Sequence, residues 1–268
     1  MAVGFVGSFI PPANSDPEGA VPAGLESSAH GAHLRKQARE DHLTNGLCGA
    51  AQPPVHPPDL RASSPDMAIR AEQSSLAEEK RRLRKRMRAL RLVADQKEGP
   101  DAALAVTRHF LAVLPELGLE AGSILAGYWP IATELDVRPL LARLHGRGIR
   151  CALPAIVAGD DLLVFRRWSP TDDLQPAEYD TRQPFASAEA VIPEALLVPL
   201  LAVDGSGHRL GYGRGWYDRT LAALRSRGPA VAIGVGYGVQ RVAHVPIAVG
   251  DQMVDWILTE RGIERVRR

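Results

Sequence analysis

From about residue 75 onward, apolar positions recur at the spacings of regular secondary structure. A helix beginning near residue 75 is predicted by apolar residues seven, four and three positions apart, namely Leu76, Leu83, Met87 and Leu90. The remaining faces of this helix are strongly basic. A second helix is predicted over 101–114, ending before Pro115.

Strands and helices then alternate. Strands are predicted over 123–129, 150–156, 162–168, 196–201, 230–236 and 254–259, and helices over 136–145 and 216–226. Strands alternating with helices form a parallel or mixed sheet covered on both faces. The predicted fold class is therefore α/β: a single three-layer α/β/α domain, Rossmann-like, with a mostly parallel, mixed sheet.

Residues 1–66 show no such periodicity. They make up a quarter of the chain yet contain nine of its 21 prolines. Such a segment buries too little apolar surface to offset the entropy of ordering it. We therefore predict a disordered extension over 1–66 and a catalytic domain over 67–268. Met67 is a candidate for the true start of translation, which the intact mass of the natively expressed protein tests.

Composition narrows the class of protein. The chain is 45% hydrophobic and 24% charged, which suits a protein with a buried core. Its 32 Lys and Arg nearly balance 31 Asp and Glu, which argues against a nucleic-acid partner. Cys48 and Cys151 are too few and too far apart for a disulfide framework, so a cytoplasmic setting is expected. No apolar run approaches the roughly 18–20 residues that span a bilayer, so no membrane partner is expected.

The most informative segment is a glycine-rich stretch, RLGYGRGWYD, at 209–218. Glycines allow close approach of the backbone to a ligand, and the amides at the start of the following helix suit an anion. Arg209 and Arg214 add guanidinium groups that match phosphate oxygens. Asp218 is placed to hold the Mg²⁺ that accompanies a nucleoside triphosphate. Glycines alone would favour a simple connecting turn, but this combination favours an anion site.

The spacing of these glycines is G-x-G-x-G, which matches neither the dinucleotide fingerprint nor a Walker sequence. Instead, 209–218 closely resembles the signature of the 5-formyltetrahydrofolate cyclo-ligases, also called methenyltetrahydrofolate synthetases. The resemblance extends in order from Glu78 to Ile263, through KRRLR at 80–84, YWPIATELD at 128–136, Asp251, and MVDWILT at 253–259.

The chain departs from the family at two positions. Gln183 stands before Pro184 where the family usually has glutamate, so a carboxylate is missing there. Gly250 stands where the family often has histidine, before an intact Asp251.

The resemblance implies an ATP- and Mg²⁺-dependent ligase that converts 5-formyltetrahydrofolate into 5,10-methenyltetrahydrofolate and releases ADP and phosphate. The formyl oxygen would take the γ-phosphoryl group, N10 would attack the activated carbon, and phosphate would leave. Lys80 and Arg84 match the family's ATP-contacting positions, although a basic helix face is more often simply solvated. Asp218 and Asp251 match its magnesium positions. The rest of the implied ATP site is the loop: Arg209, Leu210, Gly211, Tyr212, Gly213, Arg214, Gly215, Trp216 and Tyr217.

Glu134 matches the family's folate-binding glutamate, which would accept hydrogen bonds from the amino and ring N–H groups of the pterin. Taken alone, Glu134 is equally a first-turn charge on the following helix. Trp129, Tyr212 and Trp216 are the other predicted folate-binding residues, with core packing an equal alternative for Trp129. The predicted catalytic residues are Arg214 and Tyr212.

Two other interpretations stay open. Gln183 favours a non-catalytic paralogue that binds folate or nucleotide. A sugar-phosphate isomerase or a CoA-transferase-like enzyme on the same fold would act without ATP. Whatever its function, we expect the protein to be a monomer or a homodimer.

Overall fold

The computed structural model describes residues 65–267. The predicted disorder of the N-terminal extension therefore lies outside the described residues, apart from its last two positions. Those two residues begin a helix.

One long helix, α1 (Pro65–Ala112), replaces the two helices predicted from the sequence. Pro100 lies inside it, and a proline in a helix interior costs about 3 kcal/mol. Side chains on both sides of Pro100 are nevertheless buried in the same core cluster, including Ala94, Val106 and Phe110. Packing against the sheet outweighs the local break, so the prediction of two helices was wrong.

The buried face of α1 also differs from the predicted stripe. Leu90 is 38% exposed, whereas Arg91, predicted to lie on an outward face, is only 4% exposed. Met87 keeps its predicted place and packs with the partly buried Leu83 in a small apolar cluster. Arg91 is buried because its guanidinium donates hydrogen bonds to the hydroxyl oxygens of Thr133 and Tyr212.

Within 113–267, eleven strands and two further α-helices follow α1. In chain order they are β1 (Ile124–Ala126), α2 (Arg138–His145), β2 (Arg150–Ile156), β3 (Leu163–Arg167), β4 (Leu174–Pro176), β5 (Arg182–Pro184), β6 (Ala195–Pro199), β7 (Ala202–Val203), β8 (Arg209–Leu210), α3 (Trp216–Arg225), β9 (Val231–Val235), β10 (Trp256–Thr259) and β11 (Gly262–Arg265). All six predicted strands are present. Strands β4, β5, β7, β8 and β11 were not predicted.

Seven of these strands form the central sheet, in the order β11-β10-β9-β6-β1-β2-β3. The five inner strands are parallel, and the two edge strands, β3 and β11, run antiparallel to their neighbours. Strands β4 with β5 and β7 with β8 form two separate hairpins. The predicted mostly parallel, mixed sheet is confirmed.

Helices cover both faces of the sheet. Leu197 of β6 packs in one core cluster with Phe110 of α1 and Leu141 of α2. Its neighbour Leu196 points to the opposite face and packs in a second cluster with Leu221 of α3. The three-layer α/β/α architecture is therefore confirmed. No helix within 65–267 is both long and apolar enough to cross a membrane.

The two edge strands of the central sheet, β3 and β11, are protected in different ways. Along β3, the segment 186–191 makes backbone hydrogen bonds from Arg167 N to Glu189 O (2.8 Å) and from Val191 N to Phe165 O (2.9 Å). At the other edge, Glu264 of β11 pairs with Arg241 at 2.6 Å.

Candidate active site

A cavity of about 610 Å³ opens at the carboxyl ends of the parallel strands, where Ile156 of β2 and Pro199 of β6 form part of its wall. Ligand sites of open α/β sheets lie at this edge, and the volume is within the range of small-molecule sites. Every predicted site residue lines this cavity: Lys80, Arg84, Trp129, Glu134, Arg209, Leu210, Gly211, Tyr212, Gly213, Arg214, Gly215, Trp216, Tyr217, Asp218 and Asp251. The structure thus brings them together, while their individual roles stay predictions.

The glycine-rich loop needs glycine at two of its three positions. Gly213 has φ +102° and Gly215 has φ +72°, a backbone region that side chains disfavour. A Cβ on Gly213 would lie 3.3 Å from the guanidinium of Arg84, whose Nε donates a hydrogen bond to Gly211 O at 2.9 Å. The loop therefore lies close against α1.

The start of α3 follows this loop. Gly215 occupies the N-cap position, and no side chain within 65–267 accepts a hydrogen bond from the first amides of the helix. Amides at a helix start carry partial positive charge and suit an anion. With Arg84 beside the loop, this end of the cavity is electropositive.

Two cations of the site are held by carboxylates. Lys80 Nζ donates to Asp251 Oδ2 at 2.5 Å, and Arg209 Nη2 donates to Asp218 Oδ1 at 2.8 Å. Burial lowers the pKa of Arg209, and the charge of Asp218 opposes this change. Arg209 Nε is buried without a hydrogen-bond partner among the described residues, which leaves a donor for an anionic ligand.

Asp218 and Asp251 fit a magnesium ion bound together with phosphate. The amide of Gln252, the residue after Asp251, donates to Asp218 Oδ1 at 3.0 Å, which links the two positions. Within 65–267, Asp218 Oδ2 and Asp251 Oδ1 accept no hydrogen bond. Mg²⁺ is usually held by one or two carboxylates, with waters and substrate phosphates as its other ligands. In the described part of the chain, no group of three or more His, Cys, Asp or Glu side chains is placed to hold a metal without such phosphates.

Glu134 belongs to the segment after β1 and lines the part of the cavity beside Arg91 and Tyr212. Its Oε2 accepts a hydrogen bond from Ile131 N at 2.9 Å. Its Oε1 is buried and has no hydrogen-bond partner within 65–267, with Arg91 Nη1 at 3.9 Å. A buried polar atom without a partner costs about 1–3 kcal/mol, and more when it is charged. A ligand that donates an N–H to Oε1 recovers this energy.

The electrostatics of Glu134 follow from its burial. Burial raises the pKa of Glu134, while the Ile131 amide, the Tyr212 hydroxyl and Arg91 oppose that rise. The Tyr212 hydroxyl acts here by proximity, since it does not meet hydrogen-bond geometry with Glu134. A ligand with N–H groups at this point favours the ionised form of the carboxylate.

Aromatic side chains form much of the remaining wall. The ring of Tyr212 lies close to the guanidinium groups of Arg88 and Arg91, with its centroid 5.7 and 5.5 Å from their Cζ atoms. Trp129 packs edge-on against Trp168, with centroids 6.2 Å apart. Trp129 therefore lines the cavity and also packs on the core, so both of its predicted roles have contacts to support them.

Arg214 is exposed at the cavity wall. Its guanidinium lies 5.5 Å from the ring centroid of Tyr179, and within 65–267 its side chain makes no hydrogen bond or ion pair. Tyr179 and Asp180 adopt φ +63° and φ +56° in the hairpin connecting β4 and β5. Non-glycine residues in this conformation store strain and cluster at functional sites.

Sequence reasoning missed several residues that line the cavity. Tyr179 and Thr181 come from the β4–β5 connection, and Arg182 begins β5. The two strands of this hairpin are too short to give a periodic signal. Arg88 lines the cavity and lies eight positions after Lys80 on the same helix. The helical spacing of Lys80, Arg84, Arg88 and Arg91 is the signal that identifies this basic face in retrospect.

Gln183 also lines the cavity. Its side-chain Oε1 accepts a hydrogen bond from Ile156 N at 3.0 Å, which attaches β5 to the end of β2. A glutamate carboxylate accepts the same bond, so this contact does not distinguish the two residues.

The fold and the cavity together define an α/β enzyme whose ligand site combines an electropositive glycine loop with a buried carboxylate. The model of the 5-formyltetrahydrofolate cyclo-ligase family matches residues 76–260. The chain therefore belongs to this family, which confirms the resemblance seen in the sequence and makes it a ligase.

Individual relatives agree with this assignment. The chain is 28% identical to the 5-formyltetrahydrofolate cyclo-ligase of Escherichia coli K12 over 184 residues, covering 66% of this chain and 96% of that protein. It is 34% identical to the enzyme of the same name from Mycolicibacterium smegmatis over 156 residues, covering 55% and 79%. The solution structure of Aquifex aeolicus 5,10-methenyltetrahydrofolate synthetase is similar with a TM-score of 0.59 and 27% identity, covering 70% of this chain and 93% of that one.

Proposed function

We propose that this chain converts 5-formyltetrahydrofolate into 5,10-methenyltetrahydrofolate in a reaction that requires ATP and Mg²⁺ and releases ADP and phosphate. Family membership supports the reaction class. The observation that carries the proposal is the pairing, in one cavity, of the unpartnered buried oxygen of Glu134 with a glycine loop surrounded by cations.

The electropositive end of the cavity is suited to the triphosphate. Lys80, Arg84 and Arg209 supply charge, and the free amides at the start of α3 supply further donors. The ion pairs with Asp251 and Asp218 hold Lys80 and Arg209 in place before ATP binds, which lowers the entropy lost on binding.

A bound Mg²⁺ would neutralise negative charge on the phosphates while the phosphoryl group is transferred. Asp218 and Asp251 are the residues that would hold it, through the carboxylate oxygens that accept no hydrogen bond within 65–267.

The other end of the cavity is suited to the pterin. Glu134 accepts hydrogen bonds from its amino and ring N–H groups, and Trp129 and Trp216 contribute apolar walls. This arrangement directs the formyl group of the substrate toward the glycine loop.

The reaction then needs positioning and charge stabilisation rather than a protein nucleophile. The formyl oxygen attacks the γ-phosphorus and the bond from that phosphorus to ADP breaks. N10 next attacks the formyl carbon, loses its proton, and the carbon–oxygen bond to phosphate breaks. Arg214, whose side chain has no hydrogen-bond or ion-pair partner among the described residues, is placed to balance the charge of the transferred phosphoryl group. Tyr212 keeps its proton because burial raises its pKa, so it donates a hydrogen bond to the substrate.

The test is the near-ultraviolet absorbance of the methenyl product formed by the purified full chain. Four reactions are compared: with ATP and Mg²⁺, without ATP, without Mg²⁺, and with an excess of chelator. Product only in the first reaction supports the proposal. Product without ATP would exclude the phosphorylation step, and a folded chain that binds folate without turnover would favour the non-catalytic paralogue.

A further inference from the structure

Arg91 is a buried arginine that does not itself line the cavity, yet it contacts residues that do. Its Nε donates to Thr133 Oγ1 at 3.0 Å, and its Nη1 donates to the Tyr212 hydroxyl oxygen at 2.5 Å. The same Nη1 lies 3.9 Å from Glu134 Oε1. One guanidinium therefore joins α1 to both the glycine loop and the segment after β1.

We infer that Arg91 is a positioning residue that holds Tyr212 and Glu134 as one hydrogen-bonding edge for the folate substrate, and that its contribution to ATP binding, through Tyr212, is the smaller of the two. The inference rests on the proposed function, because it assigns folate to this end of the cavity.

The position of Arg91 along α1 supports this division of roles. Lys80, Arg84 and Arg91 are four and seven residues apart, so they share one face of the helix. At 1.5 Å per residue, Arg91 lies about 16 Å from Lys80 along the helix axis. Lys80 contacts Asp251 and Arg84 contacts the glycine loop, whereas Arg91 reaches Glu134.

The geometry of the guanidinium explains how it positions both partners. A planar guanidinium held at Nε by Thr133 has a fixed orientation, so its Nη1 holds the Tyr212 oxygen at a fixed point. Because that oxygen accepts from Arg91, the hydroxyl proton of Tyr212 is left for another acceptor, either Glu134 or a ligand in the cavity. Burial raises the pKa of Tyr212, which keeps this proton in place.

Arg91 also acts on the charge of Glu134. Burial raises the pKa of this carboxyl, and the positive charge of Arg91 opposes that rise. Facing groups are Tyr128 on the same segment and Tyr212 and Tyr217 from the loop and α3. All three are protonated, since burial raises the pKa of each. Arg91 is thus the cation that favours the ionised form of Glu134.

Binding of 5-formyltetrahydrofolate and of ATP–Mg²⁺ is measured separately on the full chain, across pH, for wild type, Arg91→Met and Arg91→Lys. Arg91→Met is expected to weaken folate binding about 10-fold or more, since a charged hydrogen-bonding group is removed. Binding of ATP–Mg²⁺ should change less than folate binding, because Lys80, Arg84 and Arg209 keep their contacts in the variant. The pH below which folate binding is lost should rise in Arg91→Met and move less in Arg91→Lys, which keeps the charge but not the fixed geometry.

Two controls separate this role from a general one. Arg86→Met removes an exposed charge from the same helix, outside the cavity, and should change neither affinity nor the pH profile. In a Glu134→Gln background, Arg91→Met should no longer move the pH profile, because the titrating group is gone.

Unchanged folate binding and an unchanged pH profile in Arg91→Met would overturn the inference, as would equal losses for folate and ATP. If Arg91→Met fails to fold, the same criteria apply to Arg91→Lys. A wild-type chain that binds folate without turnover, with the Arg91 effects intact, would contradict the proposed reaction alone. A wild-type chain that does not bind folate would overturn both.

Discussion

Replacing Glu134 with glutamine tests the folate end of the cavity most directly. The substitution keeps the size of the side chain and removes its charge. Glu134→Gln should therefore weaken folate binding while leaving ATP binding intact, because Lys80, Arg84 and Arg209 are held by other partners than Glu134.

The magnitude follows from the unpartnered oxygen. A hydrogen bond to a charged group contributes about 1.5–3 kcal/mol. Loss of one such bond between Oε1 and the pterin corresponds to about a 10- to 150-fold rise in the folate Kd. The hydrogen bond from Ile131 N is kept in the variant, because the amide oxygen of glutamine accepts it in place of Oε2.

The effect on stability should have the opposite sign. Because burial raises the pKa of Glu134 in the folded chain, its protonation stabilises the folded state below the ordinary glutamate pKa. That contribution is lost as pH rises through the raised pKa that Glu134 has in the folded state. Glutamine has no charge to desolvate, so above this range Glu134→Gln should be at least as stable as wild type. The advantage should disappear at lower pH.

Titration calorimetry with each ligand, and thermal unfolding at a series of pH values from the ordinary glutamate pKa upward, measure both effects. A variant that loses affinity for folate and ATP together, or that unfolds more easily at neutral pH, would show that Glu134 is a structural residue instead.

Three further substitutions probe the rest of the site. Arg214→Ala should raise the KM for ATP by the loss of about 1.5–3 kcal/mol, the value of one charged hydrogen bond, and unchanged ATP kinetics would contradict the phosphate assignment. Gly213→Ala should destabilise the chain by about 1–3 kcal/mol, because of the positive φ and the contact with Arg84. An unchanged melting temperature in this variant would mean that the loop relaxes. Gln183→Glu should leave turnover within about threefold of wild type, since a carboxylate also accepts the bond from Ile156 N. Turnover that appears only in this variant would instead identify the natural chain as a binding paralogue.

The sequence predicts the central fold well because its strands are long enough to show a pattern. The prediction for 150–156 has the same bounds as β2. The β4–β5 and β7–β8 hairpins have only two or three residues in each strand. Their pairing is decided by contacts elsewhere in the chain, which no local period reveals.

The candidate site was predictable where its chemistry is concentrated in one segment. The stretch 209–218 combines glycine, arginine and aspartate, and the structure brings it to the cavity with Glu134. Arg91 escaped prediction because a basic helix is usually solvated, and only its three-dimensional neighbours show that it is buried. The error at Pro100 has a related cause, since packing on both sides of it stabilises one continuous α1.

The two finished edges of the central sheet have a consequence for how the chain behaves when it is concentrated. An open strand edge is a template for pairing with another molecule, and proteins discourage this by covering the edge or by charging it. Here 186–191 covers β3, and the ion pair of Arg241 and Glu264 charges β11. Substitutions that detach 186–191 from β3, or that remove the charges of Arg241 and Glu264, should therefore favour aggregation through β-strand addition. This holds even where the cavity and its chemistry are unchanged.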